Sequence, residues 1–404
     1  MKPGIRYHSL LHSTGYGDAG MAYIRALASH GYPVQWVPVV QSPAGLQSWS
    51  DIRAKTRMDI THYASVDPDL LELLNTPVQC DVNLMHVLPE LFPQLVVESA
   101  INVGYTVWET DRLPSHWPSL FAGLDKLLVP CEFNRSIFQF SGGPDVAVIP
   151  HIAQRFPPQN KSAVRSEFRK NHCISDTTWV FYSINAWVPR KAILETLHAY
   201  CLAFEQADDV CLILKTDSRG QDPGVRNQHR FRETRDMVTE LLANYPDPPR
   251  LILIDRRLTE QEMDDLHAAA DCYFSLTHGE GWGLGAFDAA TVGNPVIITG
   301  WGGQLDYLPA EYAFLVEYDL GGIPQMIRWE SYESQQNWAV ASIGHALELL
   351  TYSYSNQQLA RDLGIRLQAN IESRFRSEQV AKKLGLQIES LVCDLKPPKT
   401  TCNK

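Results

Sequence analysis

Thr277-His278-Gly279-Glu280-Gly281-Trp282-Gly283-Leu284-Gly285-Ala286-Phe287-Asp288 is the stretch from which the rest of the chain can be read, and it runs on through Thr299 to the pair Gly302-Gly303. The apolar run before it, Cys272 to Leu276, has the length and composition of a buried parallel strand. Glycines at 279, 281, 283 and 285 permit positive φ and close approach of a ligand, and Ala286 to Val292 suits a short helix ended by Gly293 and Pro295. A strand, a glycine turn and a helix in this order aim free backbone amides at whatever lies over the helix N-terminus, which favours phosphate. Glu280 and Asp288 flank that turn with carboxylates able to accept from hydroxyl groups.

A chain of 404 residues exceeds the size at which one core stops growing, so two domains are expected. Its net charge of −11 argues against a general nucleic-acid binder, which needs a basic surface for counterion release. Eight cysteines without a C-x-x-C spacing, several inside apolar runs, read as buried hydrophobes in a reducing compartment. The start lacks the apolar stretch of a signal peptide and no run is long enough to span a bilayer, so a soluble, cytoplasmic protein is expected.

From the N-terminus, Ile5 to Leu11 reads as a strand, followed by Gly15-Tyr16-Gly17-Asp18-Ala19-Gly20 and a helix to about Gly31. The G-x-G-x-x-G spacing suggests dinucleotide binding, but the next strand, Val34 to Val39, ends without the acidic residue that would hold a ribose diol, so the loop reads instead as a glycine turn near a ligand. Ser42 to Asp67 is polar and irregular; Asp67-Pro68-Asp69 matches a metal-binding D-x-D only superficially and reads as a helix start. Two further strands, Asn83 to Val87 and Ile101 to Trp108, lead to His86 in one case and to Glu109 and Asp111 in the other, at the carboxyl ends where ligands gather in open α/β sheets.

A strand at Asp125 to Pro130, a helix at Glu132 to Phe140 and a strand at Val146 to His151 complete the first half. A proline-rich segment from Arg155 reads as the junction, giving domains at 1–155 and 173–375 with 156–172 as linker. The second half alternates again: strand Trp179 to Ser183, a helix opened by Pro189-Arg190-Lys191, strand Val210 to Leu214 ending at Lys215, helix Glu233 to Ala243, strand Leu251 to Asp255 and helix Glu260 to Ala270. After Gly303 the chain reads as helical, closing with an amphipathic helix at about 376–395 that carries Val380, Leu384, Ile388 and Leu391. The expected class is α/β, with two doubly wound parallel sheets facing across a cleft.

The run Glu280 to Ala290, Gly293-Asn294-Pro295-Val296 and the Gly302-Gly303 pair resemble the nucleotide-binding half of the retaining glycosyltransferases of family 4, which have the two-Rossmann GT-B fold and a Glu-x7-Glu motif at this place. The glycine loop at 15–20, the Pro189-Arg190-Lys191 start and the C-terminal helix extend the resemblance over nearly the whole chain. It implies that Glu280 contacts the donor sugar, that Asp288 takes the place of the second Glu and holds the ribose diol, and that Gly281, Trp282, Gly283, Leu284 and Gly285 line the sugar and diphosphate. It also implies that the C-terminal helix crosses back to the first domain and that Lys191 and Arg190 face the diphosphate, with Gly15 and Gly17 close to the donor.

Two departures stand out. Where many members have an arginine six residues before the lysine, this chain has Asn185, leaving Lys215 or Arg219 to compensate. Where many carry a histidine at the end of the strand before Glu109, this chain has none, leaving Glu109 or His86 to contact sugar or acceptor.

The activity implied is transfer of a hexose from a nucleotide diphosphate sugar to an acceptor hydroxyl on a glycan, lipid-linked or protein-linked sugar, with retention, without cofactor and without an essential metal. The two halves are expected to close on the donor by hinge motion near 150–172 and around the C-terminal crossover. Arg53, Lys55 and Arg57 admit at most a weak peripheral contact with the inner face of a membrane. The competing readings are an NAD(P)-dependent oxidoreductase using Gly15 to Gly20, and a GT-B subunit that serves only as activator or scaffold, with a sugar-nucleotide epimerase third.

Overall fold

The computed structural model describes residues 2–11, 14–42, 45–48, 68–74, 76–139, 143–221, 231–324 and 331–395. Asp67, the basic residues at 53, 55 and 57, Gly224 and the tail 396–404 lie outside them. The chain forms two compact units. The first joins Met1–Trp108, Ser115–Gln154 and Arg374–Lys404, and the second joins Glu109–Pro114 to Arg155–Ser373.

In the first unit the strands β1 (Ile5–Leu10), β2 (Val34–Ser42), β3 (Gly45–Ser48), β4 (Val82–His86), β5 (Ile101–Tyr105), β6 (Lys126–Val129) and β7 (Val146–Val148) form one sheet in the order β3-β2-β1-β4-β5-β6-β7. All neighbours are parallel except β2 and β3, so the segment after Ser42, expected to be irregular, contributes an antiparallel edge strand. Helix α1 (Gly15–Ser29) begins at the first glycine of the G-x-G-x-x-G stretch, with the Thr14 hydroxyl accepting from the Gly17 amide at 3.3 Å. The expected glycine turn is therefore the first turn of a helix, since Thr14 satisfies one of its free amides. Gly20 is small for a packing reason: a Cβ there would lie 2.7 Å from the Ser9 Cβ on β1.

The C-terminal helix, Ser377–Leu395, belongs to this first unit and packs on α1. Val380, Ala381, Leu384, Ile388 and Leu391 are buried in the same core as Met21, Ile24 and Leu27. The apolar stripe read from the sequence is the face it buries.

In the second unit, β8 (Trp179–Ile184), β9 (Val210–Lys215), β12 (Leu251–Ile254), β13 (Cys272–Ser275), β14 (Val296–Thr299) and β15 (Phe314–Val316) form a parallel sheet in the order β12-β9-β8-β13-β14-β15. Central strands such as β8 and β13 are buried along their length, which explains their continuous apolar runs. Two antiparallel hairpins stand apart from it, β10 (Arg219–Gln221) with β11 (Phe231–Glu233), and β16 (Tyr318–Gly322) with β17 (Asn337–Ala341). After Gly303 the described residues thus form three strands before the helices Ile343–Ser355 and Gln357–Phe375, where the sequence reads as helical.

The segment expected as a linker contains a helix, Lys161–Asn171, whose Arg169 is fully buried. Its guanidinium donates to the carbonyls of Ala269, Ser175 and Thr178 and pairs with Asp271 at 2.6 Å, tying this helix to the start of β13. The proline-rich segment from Arg155 reads as a junction, and the buried guanidinium with this many acceptors fixes the helix that follows it. None of the described cysteines is in a disulfide, and Cys131, Cys201, Cys211 and Cys272 are buried.

Candidate functional site

Because the strands of the second sheet are parallel, the residues that follow β8, β9, β13 and β14 emerge at one edge, which is where an α/β sheet offers its loops to a ligand. The glycine stretch follows β13 there. Of its four glycines only Gly283 has positive φ, at +88°, a conformation that L side chains avoid. That residue caps helix Leu284–Thr291, so Leu284 and Gly285 form its first turn, with free amides at the N-terminus. The Tyr307 hydroxyl donates to the Gly283 carbonyl at 2.8 Å, and the Gly303 amide donates to the Glu280 carbonyl at 2.7 Å. The ring of Trp282, expected among the residues that line the donor, is buried against Phe287 and Tyr307, at centroid distances of 5.1 and 4.9 Å. It braces the loop from behind.

Glu280 follows Gly279, whose hydrogen Cα faces the carbonyl of Glu109 so closely that a Cβ would lie 2.1 Å from that oxygen. The Glu280 side chain turns towards the helix N-terminus, its Cγ 3.3 Å from where a Cβ on Gly283 would stand. Lys191 Nζ donates to both carboxylate oxygens, at 2.6 and 2.8 Å, and Arg190 Nη1 donates at 3.3 Å. The Arg190 fork also reaches the Gly279 carbonyl and, through Nη2, the Glu109 carboxylate at 3.3 Å. Two cations and two carboxylates thus form one nearly buried cluster.

The cations are delivered differently from the expected helix start. Pro189–Lys191 is a separate 3₁₀ turn, Ala192 takes a left-handed conformation with φ +47°, and the helix begins only at Ile193. The His278 amide donates to the Arg190 carbonyl at 2.8 Å and so fastens this turn to the glycine stretch. A left-handed break lets Arg190 and Lys191 point at Glu280 instead of lying along the helix surface.

Burial raises the carboxyl pKa of Glu280, but Lys191 and Arg190 outweigh it and hold the group below the ordinary carboxylate range. Burial acts the same way on Glu109, where Arg190 opposes it and the Glu280 charge adds to it, leaving this carboxyl above its ordinary value. One cluster therefore holds a firmly ionised carboxylate and a more readily protonated one, an arrangement suited to gripping hydroxyls on one side and exchanging a proton on the other.

Asp288 is in the same helix as Leu284, but its carboxylate accepts from Arg155 Nε at 3.1 Å. Arg155 also pairs with Glu260 at 2.6 Å and with Asp264. Asn185 follows β8, and its amide group donates to the hydroxyls of Ser183 at 3.0 Å and Ser275 at 3.3 Å. Lys215 ends β9 half-buried, while Arg219 pairs with Glu233 on its own hairpin at 3.2 Å.

In the first unit, His86 does not offer its ring to solvent as a site residue would. It is 1% exposed, 3.0 Å from the Tyr7 hydroxyl through Nδ1 and packed against Tyr105 at 4.2 Å. Burial holds its pKa well below the ordinary histidine value, so it is a neutral core side chain. Gly15 and Gly17 stand at the N-terminus of α1, also in the first unit.

No protein-family model matches the sequence, and no curated protein is detectably similar to it in sequence. Solved structures do match in shape. HepE from Anabaena, in complex with UDP and glucose, aligns with a TM-score of 0.61 at 15% identity, over 96% of this chain and 100% of that one. Sucrose-phosphate synthase from Thermosynechococcus elongatus gives 0.61 at 14% identity, over 97% and 100%. A glycosyltransferase from Rickettsia africae gives 0.64 at 12%, over 98% and 99%. The fold is GT-B.

Within this GT-B fold, tertiary structure gathers Glu280, Lys191, Arg190, Glu109 and the amides at 283–285, with Asp288 further along the helix. Sequence reasoning missed Arg155, which reads as the last residue of the first domain where the junction begins, and Tyr332, whose hydroxyl is hydrogen-bonded to Arg190. No local pattern signals either one. Among the described residues no helix is long and apolar enough to cross a membrane, and no group of three or more His, Cys, Asp and Glu is placed to hold a metal ion.

Proposed function

We propose that the protein is a retaining glycosyltransferase that moves a hexose from a UDP-sugar to an acceptor hydroxyl. The observation that carries this reading is Glu280, a carboxylate kept ionised by Lys191 and Arg190 beside the N-terminus of the helix that Gly283 caps. Such a carboxylate can accept from sugar hydroxyls, while the two cations and the amides at 283–285 donate to the diphosphate oxygens. UDP is the nucleotide proposed because HepE, of similar fold, was solved with UDP and glucose. Asp288 is assigned to the ribose diol, with Arg155 holding its carboxylate in place.

In the reaction the C–O bond from the anomeric carbon to the diphosphate breaks and a bond to the acceptor oxygen forms on the same face. Negative charge then grows on the departing β-phosphate, where Lys191 and Arg190 stabilise it. The acceptor proton passes to that phosphate oxygen, so the enzyme supplies position and electrostatics. Two cations and a set of amides neutralise the diphosphate without a bound divalent ion, and transfer is expected to survive EDTA.

A thermal-shift panel of UDP, GDP, dTDP and ADP sugars with the full chain tests the reading, because a ligand that binds only the folded state raises its melting temperature. UDP-hexoses are expected to stabilise it. Stabilisation by NAD(P) with no response to any nucleotide sugar would overturn the proposal in favour of an oxidoreductase.

A further inference from the structure

The six residues Glu109–Pro114 leave the first unit and cluster with the second, although the chain on either side of them does not. Two independent features hold this strap down. Asp111 pairs with Asn337, the first residue of β17: its amide donates to the Asn337 carbonyl at 3.0 Å, and its carboxylate accepts the Asn337 amide at 2.7 Å and Nδ2 at 2.9 Å. The Glu109 carbonyl seats on Gly279, where only a hydrogen fits.

These bonds close a ring around Glu280. From Asn337, β17 continues to Ala339, whose amide donates to the His278 carbonyl at 2.9 Å while His278 Nδ1 donates to the Ala339 carbonyl at 2.7 Å. A carbonyl can only accept, so Nδ1 carries the proton. His278 in turn holds the Arg190 carbonyl through its own amide, and Arg190 reaches back to the Glu109 carboxylate. Strap, hairpin, glycine stretch and cation turn are thereby linked in one circuit.

We propose that Asp111 and Asn337 are positioning residues: their pairing clamps the Glu109–Pro114 strap so that Glu109 fixes the Arg190 guanidinium in the orientation that meets the leaving group. The inference rests on the glycosyl-transfer reading of the site. Arg190 has competing acceptors in Glu280 and the Gly279 carbonyl, so without the Glu109 partner its fork would collapse onto them. A fork held between Glu109 and Glu280 keeps its orientation as charge develops, which is where preorganised charge lowers the barrier. Lys191 holds Glu280 and makes no bond to the strap, and it remains with the helix amides to hold the diphosphate, so ground-state binding of the nucleotide should fall less than the rate.

The test uses the full chain with Asp111→Ala, Asn337→Ala, the double variant and Asp111→Asn. Asp111→Ala is expected to lower kcat about 10-fold or more, with UDP affinity by calorimetry changed less than about twofold. Asn337→Ala loses the Nδ2 bond but keeps its backbone amide on the Asp111 carboxylate, so it should lose less than Asp111→Ala, and the double variant no more than Asp111→Ala, because the Asn337 side chain acts through that carboxylate. Asp111→Asn, which keeps an acceptor for Asn337, should recover part of the rate. An unchanged kcat, additive losses, or an equal fall in UDP affinity would overturn the inference.

Amide hydrogen exchange decides the matter even if the wild-type protein neither binds UDP nor transfers sugar, a result that would remove the functional reading but not the clamp. In Asp111→Ala, exchange should quicken at 109–112 and also at 276–280 while the melting temperature holds. Faster exchange confined to Asn337 would show that the strap braces nothing.

Discussion

Lys191 Nζ lies 2.6 and 2.8 Å from the two carboxylate oxygens of Glu280, so one ammonium bridges both oxygens of the residue that faces the helix N-terminus and leaves each a lone pair for another donor. The pair ties the cation turn to the glycine stretch. Replacing Lys191 with alanine leaves Glu280 with Arg190 alone and removes a charge from the phosphate side. Transfer is expected to fall about 100-fold or more, the scale of losing one preorganised electrostatic contact. Steady-state assays with UDP-glucose check this, and an unchanged rate would remove Lys191 from the site.

Arg155 and Asp288 should differ in what they contribute. Asp288→Ala leaves Arg155 paired with Glu260 and Asp264, whereas Arg155→Ala leaves three carboxylates facing one another. The expected result is a larger loss of stability for Arg155→Ala, about 1–3 kcal/mol, and a larger relative loss of nucleotide affinity than of stability for Asp288→Ala. Denaturant unfolding and UDP calorimetry on the two variants separate the effects.

Four buried histidines set the acid limit of the fold. Burial lowers His8 to about 4 and His151 and His267 to about 3, and puts His86 well below its ordinary value. All four folded-state values lie below the unfolded one, so the unfolded chain binds more protons as pH falls below about 6.5. Their contribution is complete above that pH and is lost progressively on acidification towards the folded values. Unfolding free energy is expected to fall by about 1–2 kcal/mol per histidine between pH 7 and 5. Urea titrations over that window, in wild type and His151→Gln, test the sign and the size.

Arg169 and Asp271 form a fully buried ion pair at 2.6 Å, with carbonyl groups taking the remaining guanidinium hydrogens. Removing Arg169 leaves Asp271 with Arg165 at 2.8 Å and the Val180 amide at 2.9 Å, but takes the donor from the buried carbonyls of Ala269, Ser175 and Thr178. Arg169→Ala is expected to cost about 1–3 kcal/mol, read as a drop in the denaturation midpoint. Arg361, within 3.7 Å of Asp271 but far more exposed, should cost much less.

Truncation after Phe375 removes the C-terminal helix and exposes the core face of α1. Leu384 alone is 1% exposed, and its change to alanine is expected to cost about 2–5 kcal/mol. The truncated chain should show loss of the cooperative transition of the first unit in calorimetry. A folded, active truncation would mean that the helix is dispensable.

The parallel sheets were legible because a strand buried on both faces must be apolar throughout, and helix faces were legible because burial imposes a 3.6-residue period. That logic located β8, β13 and the C-terminal helix within a residue or two. It failed where a local signal has two physical outcomes. Glycines at 15–20 can make a turn or let a helix approach a strand, and Ser9 against Gly20 settled on the helix. His86 at a strand end can face a ligand or the core, and the neighbouring tyrosines settled on the core.

By itself the sequence determined the alternation of strand and helix, the glycine stretch at 279–285, and the pairing of a carboxylate at 280 with a second at 288, since these are local in chain and chemistry. Only the tertiary structure decided who meets whom. That Arg190 shares its charge between Glu109 and Glu280, that Arg155 holds Asp288, and that Asp111 grips Asn337 join residues from about 80 to 230 positions apart. Such pairs leave no periodic trace, because a salt bridge or hydrogen bond needs only proximity in space, and proximity across that much chain is set by how the second unit brings its loops together.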